Sequence, residues 1–525
     1  MSSFHGWFGD PGIWAAVQLP EAGSLGVVIC TPLGQEGVVA YRGLRLLADE
    51  LQHRGIASVR YDPPGRGDAA PSTDPQAPIL GARLAAEVLR GSGCTHIAYV
   101  GLSSAALIAS AAAEPGETLV LWSPPVSGRV WLRRTRSLAT IMIGPDRQFG
   151  QVESLIGLDL DPAQAAVLEA IKLTLPGGAP ALIARRPGEP VPSGMGAATK
   201  IEVEGTAEFL DTSSVSSVMP SAAIATIADW LLAQASEPTA LQPPALRTEL
   251  ALEHSVERIR WIGPNQIFAI ECAPRRSAGT TPVVVLHAGA SEHRVGAGDY
   301  QVELARLLAA DGVRSIRADR RGAGETGPVS PDEPTMFYTQ AWLEDQDAIV
   351  ADLEVGGDQL ALAGLCAGAW MAGHRTTTNP RLVVGIHPLE FSVEPFAPNE
   401  FVDEVVMPHE LTNPFMLALQ RLYRRWAPVW VRRLRARAAT KADAGPYLVD
   451  LAKRSDRTVL IFSEIDQEVF RRLGGTDAAA RLPGIELVNV ATLDHPLFAR
   501  QTRHRVIAEV RRQVADAFGL PRPAQ

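Results

Sequence analysis

Leu360-Ala361-Leu362-Ala363-Gly364-Leu365-Cys366-Ala367-Gly368 runs from an apolar stretch through a glycine-bounded turn into an Ala-rich segment that starts near Ala369. The apolar run predicts a buried strand and the Ala-rich continuation predicts a helix. Between them, small residues at 364 and 368 permit the tight strand-to-helix turn that lifts a central side chain above a sheet. The arrangement recurs earlier, where Ile97-Ala98-Tyr99-Val100 leads into Gly101-Leu102-Ser103-Ser104-Ala105, so that Ser103 stands where Cys366 stands. One G-x-C-x-G match is weak, but its return at the equivalent place in a second copy makes it strong.

Working outward, the flanking segments repeat as well, at an offset of about 255 residues. Trp7-Phe8-Gly9-Asp10-Pro11 followed by Ile13-Trp14-Ala15 returns as Trp261-Ile262-Gly263-Pro264 followed by Ile267-Phe268-Ala269. Val27-Val28-Ile29-Cys30 is matched by Val283-Val284-Val285-Leu286, and each run predicts a buried strand that ends in a loop. Amphipathic helices are expected over Leu44–Leu51 and Val302–Leu308, closed by Gly55 and Gly312. A second strand follows each, Ala57–Asp62 and Arg314–Asp319, and runs into Gly65-x-Gly67 or Gly322-x-Gly324. Strand, helix, strand predicts right-handed crossovers, a parallel sheet and reactive groups at the carboxyl ends of its strands. The Pro-rich polar stretch Ala235–Pro244 reads as a linker, which divides the chain into 1–236 and 247–525 with a boundary near Pro243.

Composition sets the limits. A chain of 525 residues with 46% hydrophobic and 20% charged residues has material for two cores and is not a disordered composition. A net charge of −9 offers no field that attracts nucleic acid or an anionic membrane, so neither is expected as a partner. The four cysteines, Cys30, Cys94, Cys272 and Cys366, lack paired spacing and suggest a reducing, cytoplasmic setting without disulfides or zinc. No leader-like amino terminus and no membrane-spanning run is apparent.

Over nearly its full length the chain resembles the α/β-hydrolase superfamily. Within it, Gly289-Ala290-Ser291-Glu292-His293-Arg294-Val295-Gly296 and Asp319-Arg320-Arg321-Gly322-Ala323-Gly324-Glu325 look like the serine-aminopeptidase-like branch associated with exopolysaccharide and natural-product gene clusters. The resemblance implies an α/β fold with two tandem domains, each a mostly parallel sheet flanked by helices, with a helical cap inserted in the second. It also implies that an acid and then a base follow each nucleophile in chain order.

The second half meets that order. Thr458–Ser463 predicts a strand, Glu464-Ile465-Asp466 lies on the loop just beyond it, and Asp466 is the expected acid, with Glu464 as its competitor. His495, after the strand Leu487–Val490, is the expected base. The first half does not meet the order, because no histidine lies between His96 and His254. Its expected base loop, Glu204–Ser214, offers only hydroxyls and carboxylates, and serine without a base is a poor nucleophile. The first copy therefore reads as degenerate, a scaffold or a binding module.

A thiol beside a protonated imidazole, at the positive end of a helix, favours the thiolate. Cys366 is then the nucleophile and His495 its base, while Asp466 orients the imidazole. The backbone N–H of Ala367 and one from the Ala288-Gly289-Ala290 loop would receive the developing oxyanion. The chemistry expected is acyl hydrolysis or acyl transfer from an ester or thioester, carrier-bound or on coenzyme A, through a thioester on the enzyme. Competing readings are an inert buried thiol at 366 in a non-catalytic binding protein, and a serine esterase run by Ser103. An insertion over about Phe391–Ser455 is expected to cap the site. In it Tyr423, Arg424, Arg425, Trp426, Trp430, Arg432, Arg433, Arg435 and Arg437 read either as a dock for phosphopantetheine, coenzyme A phosphates or an acidic carrier protein, or as a solvated helical face. His293 reads either as a pocket-lining residue or as a simple loop histidine, while His287, His374 and His387 show no metal spacing, so neither metal nor cofactor is expected.

Overall fold

The structure is a computed structural model and describes residues 2–145, 148–210, 218–276, 281–290, 292–330, 336–374, 376–401, 443–491 and 494–523. The cap residues 423–437 and part of the first half's expected base loop, 211–214, lie outside the described residues.

Two large sheets divide the chain. The first contains β1 (Ser2–Phe8), β2 (Ile13–Leu19), β3 (Leu25–Cys30), β4 (Ala57–Asp62), β5 (His96–Leu102), β6 (Thr118–Trp122), β7 (Ala181–Arg185) and β8 (Thr199–Glu202) in the order β1-β2-β4-β3-β5-β6-β7-β8. The second contains β9 (Glu249–Ala251), β10 (Ser255–Ile262), β11 (Ile267–Pro274), β12 (Val283–His287), β13 (Arg314–Ala318), β14 (Leu360–Leu365), β15 (Leu382–Ile386), β16 (Arg457–Phe462) and β17 (Ile485–Asn489), in the order β9-β10-β11-β13-β12-β14-β15-β16-β17. Apart from β9 the two orders coincide. In both, an antiparallel hairpin leads into a parallel sheet. The central strands β3, β5, β12 and β14 are buried along almost their whole length, as covering by helices on both faces requires. No helix among the described residues is long and apolar enough to cross a membrane.

The segment read as a linker lies against the first half. Thr239–Ala240 pairs antiparallel with Ala22–Gly23, and Arg247 exchanges backbone hydrogen bonds of 2.8 Å with Trp7. The two tryptophans of the repeated motif consequently differ in environment. Trp7 is fully buried and donates to the Asp68 carbonyl at 2.7 Å, whereas Trp261 is 44% exposed.

Where the halves meet, charged residues are exchanged reciprocally. Arg60 pairs with Ile29, just before Cys30, and Arg317 pairs with Leu286, just before His287; the two arginines thus hold matching positions in their sheets. Arg60 of the first half grips Glu325 of the second in a bidentate pair at 2.7 and 2.9 Å. Arg317 of the second half reaches back to Asp68 of the first at 2.5 Å. Asp68 and Glu325 follow Gly67 and Gly324, whose φ of +52° and +50° suits glycine, and where a Cβ would strike the carboxylate of Asp62 or Asp319. Arg294 completes the seam, fully buried, 2.8 Å from Asp68 and 2.6 Å from Asp319, with its guanidinium over the rings of Trp14 and Phe268.

Candidate active site

Strand β14 ends in the turn read from the sequence. Cys366 has φ 54° and ψ −113° and immediately precedes helix α1 (Ala367–Ala372), with its N–H bonded to the Ile386 carbonyl at 2.8 Å. Ser103, between β5 and the helix Ser104–Ala112, has nearly the same backbone, φ 49° and ψ −118°. A left-handed non-glycine residue is strained, and here the strain points the side chain off the sheet edge. Both glycines of the second elbow are sterically required. A Cβ on Gly364 would strike the backbone of Gly368 and Ala369, and one on Gly368 would strike the carbonyls of His287 and Ala288. Because those obstacles are backbone, Gly368→Ala should cost about 1–3 kcal/mol and displace the loop carrying Gly289. Urea unfolding and turnover, measured together, check both effects.

Around Cys366 the structure assembles the residues expected from sequence. The thiol hydrogen-bonds to the His495 side chain, and His495 Nδ1 donates to Asp466 Oδ2 at 3.2 Å. Burial disfavours the imidazolium, but the Asp466 carboxylate and the Cys366 sulfur outweigh it and hold His495 up at about 10. Asp466 is 1% exposed, whereas Glu464, its competitor, faces solvent. The two carboxylates sit on the first turn of a helix, α2 (Glu464–Arg472), rather than on a loop. Ser463 caps that helix by accepting the Asp466 N–H at 3.0 Å, and its hydroxyl donates to Asp466 Oδ2 at 2.9 Å. Acidic residues also suit a helix amino terminus, which explains the extra helix.

The loop after β12 passes over the thiol. A Cβ on Gly289 would stand 3.8 Å from Cys366 Cβ. Arg320, stacked on Trp342 with its guanidinium carbon 4.0 Å from the ring centre, donates to the carbonyls of Ala288 at 3.1 Å and Gly289 at 3.2 Å. Because trans peptides point N–H opposite to C=O, this clamp turns the N–H groups of Gly289 and Ala290 away from Arg320.

Three neighbours escaped the sequence reading. Tyr338, buried at a φ of 55°, hydrogen-bonds the Cys366 thiol through its hydroxyl. His387, fully buried just after β15, donates from Nδ1 to the His495 carbonyl at 3.1 Å and stacks on the His495 ring. Glu292 is buried beside Gly289. Only the backbone pattern at 338 and 387, unreadable from residue types, distinguishes the first two. Among the described residues, the one group of metal-ligand type is His387, Asp466 and His495, whose atoms lie within 4.8 Å of one another. Nδ1 of each imidazole is already committed there as a hydrogen-bond donor.

The other three thiols are buried. Desolvation pushes Cys30 and Cys272 up to about 12 and Cys94 to about 11, while Cys366 is partly exposed.

At the first elbow the Ser103 hydroxyl donates to Glu36 Oε1 at 3.0 Å, and the other Glu36 oxygen takes the Ser104 N–H at 3.1 Å. Ser104 N is the counterpart of Ala367 N, so a carboxylate occupies the place an oxyanion would need. Glu189, the fourth residue past β7 as Asp466 is past β16, bonds Arg186. Ser123 follows β6 with φ 44°, as His387 follows β15 with φ 50°. The two halves thus share these backbone corners, with different side chains on them.

Residues 283–510 match the Alpha/beta hydrolase family. No curated protein sequence matches the chain. Among solved structures, Est1E from Butyrivibrio proteoclasticus with ferulic acid bound is 15% identical over 50% of this chain and 99% of its own, with a TM-score of 0.33. Alpha/beta hydrolase domain-containing protein 10 from mouse is 16% identical over 49% and 98%, with a TM-score of 0.32. The thioesterase domain from the curacin biosynthetic pathway is 15% identical over 48% and 98%, with a TM-score of 0.30.

Proposed function

We propose that the α/β-hydrolase domain in the carboxyl-terminal half of this chain is a cysteine-dependent acyl hydrolase or acyltransferase, with Cys366 as nucleophile, His495 as base and Asp466 as the acid behind it. The observation that carries the reading is the continuous chain of hydrogen bonds from the strained, partly exposed Cys366 through His495 to a buried Asp466. Cys366 attacks the carbonyl of an ester or thioester, and His495 then gives its proton to the leaving alcohol or thiol. The backbone N–H of Ala367 and an N–H of the Ala288–Ala290 loop hold the oxyanion. The resulting acyl-thioester is resolved by water or by another acceptor, and a carrier-bound or coenzyme A thioester is a donor of fitting reactivity. We further read the chain as a tandem duplication, 1–236 and 247–525, whose first copy has lost its chemistry. Matching strand orders, matching elbows and the Glu36 plug at Ser103 support this.

Iodoacetamide or p-nitrophenyl acetate followed by intact mass and peptide mapping tests the assignment. Expected is modification of Cys366 ahead of Cys30, Cys94 and Cys272, suppressed in His495→Ala, with Ser103→Ala behaving like the unsubstituted protein. Equal labelling of all four thiols would favour a binding protein. Loss of ester turnover in Ser103→Ala alone would transfer the chemistry to the first half.

A further inference from the structure

Glu292 is a carboxyl group that the triad does not use. It is 6% exposed, it accepts a hydrogen bond from the Ala297 backbone N–H, and its Oε2 has no hydrogen-bond partner among the described residues. That oxygen is aimed at the site: a Cβ on Gly289 would lie 3.6 Å from Glu292 Oε2 and 3.8 Å from Cys366 Cβ, so the open oxygen and the nucleophile flank one glycine. The neighbouring cation, Arg320, attracts it through space. Arg320 directs two of its N–H groups at the carbonyls of Ala288 and Gly289. A buried carboxylate with an open oxygen is costly unless a donor, preferably a cationic one, completes it.

We infer that Glu292 receives the nitrogen of a primary-amine acceptor, so that the acyl group on Cys366 is passed to an amine in preference to water. The inference rests on the acyl-enzyme of the proposed function and names the acceptor class for it. An incoming ammonium gives one proton to the Glu292 carboxylate and becomes a nucleophilic amine. Its nitrogen bonds to the acyl carbon and loses a second proton to neutral His495. The carbon–sulfur bond then breaks, the sulfur leaves as a thiolate beside the imidazolium, which restores the starting pair, and Glu292 returns its proton to solvent. The electrostatics are consistent with this traffic, since burial raises Glu292 to about 7 against the pull of Arg320 and His495, a range in which a carboxyl both takes and returns a proton. An alcohol brings no charge to this oxygen and gains less from it.

The test uses the full chain with an acyl N-acetylcysteamine thioester and increasing n-butylamine or n-butanol, reading the ratio of transfer product to free acid. With n-butylamine the ratio is expected to saturate, whereas with n-butanol it rises only in proportion to concentration. Glu292→Gln should lower the amide-to-acid ratio by about tenfold or more, as loss of a charge-assisted hydrogen bond implies, with Glu292→Asp recovering part of it. An acyl adduct on Cys366 together with an unchanged ratio in Glu292→Gln would overturn the role of Glu292 and leave the nucleophile assignment standing. Absence of any adduct on Cys366 would overturn both. Should Glu292→Gln fail to fold, the amine–alcohol comparison on the unsubstituted protein decides alone: equal, unsaturated partition overturns the inference.

Discussion

Replacing Cys366 by alanine is expected to lower ester or thioester turnover by about a thousandfold or more, because the substitution removes the atom that bonds the acyl group and leaves only the oxyanion donors and binding. His495→Ala should fall as far, since members of such a unit are not additive. The pH profile separates Asp466 from a merely structural role. With His495 held up at about 10, the imidazolium persists through neutrality and the alkaline limb of turnover lies near that value. Asp466→Asn removes the anion that holds it there, so the limb moves to lower pH. Stability follows the same sign. A group whose folded value is raised contributes fully below its unfolded value of about 6.5 and loses that contribution as pH rises towards the folded one. The stability difference between the unsubstituted protein and His495→Ala should therefore shrink from about pH 6.5 to 10 in urea titrations. A flat difference, or Cys366→Ala retaining turnover, would refute the assignment.

The second large effect lies far from the thiol. Arg294→Met should destabilise the chain by about 3–5 kcal/mol, because it takes from Asp319 its ion-pair partner and leaves Asp68 with Arg317 alone in a dry interior. Both carboxylates are fully enclosed, so solvent cannot screen what remains. Asp68 is otherwise held well below its ordinary value by Arg294 and Arg317 against the opposing effect of burial. Adding Asp319→Asn to Arg294→Met should recover part of the loss, since it removes the charge that lost its partner. Denaturant titration of the unsubstituted protein, Arg294→Met, Asp319→Asn and the double variant measures this. Loss of less than about 1 kcal/mol in the single variant would mean that the buried ion pairs of Arg294 carry little net stability.

How much of this was readable from residues alone follows from the range over which each feature acts. The strands around Val283 and Leu360, and the elbows at Ser103 and Cys366, depend on neighbours within a few positions, so apolar runs and small residues reveal them. Asp466 and His495 could be named because each follows a strand end, although the short helix α2 was read as a loop. That helix depends on the cap at Ser463, a feature visible only if the serine is read as a boundary rather than as the last strand residue. Glu36 was invisible as a plug at Ser103, because its place there depends on how one helix is set against a strand far along the chain. The same holds for Tyr338 and Glu292, whose side chains reach Cys366 or its glycine from loops with no periodicity to read. The linker is a polar, Pro-rich stretch, yet it is partly paired to the first half, because short strands at an edge need little more than an available backbone.

Cross-paired charges at the seam also bear on how such a chain can change over time. With Arg60 answered by Glu325 and Asp68 answered by Arg317, neither half is electrically complete by itself. A cut between the halves would strand ions in both pieces, so separately expressed fragments should be recovered only together. Change in the first half is then tightly constrained along its border. Among relatives of this chain, the border residues of the first half should vary least.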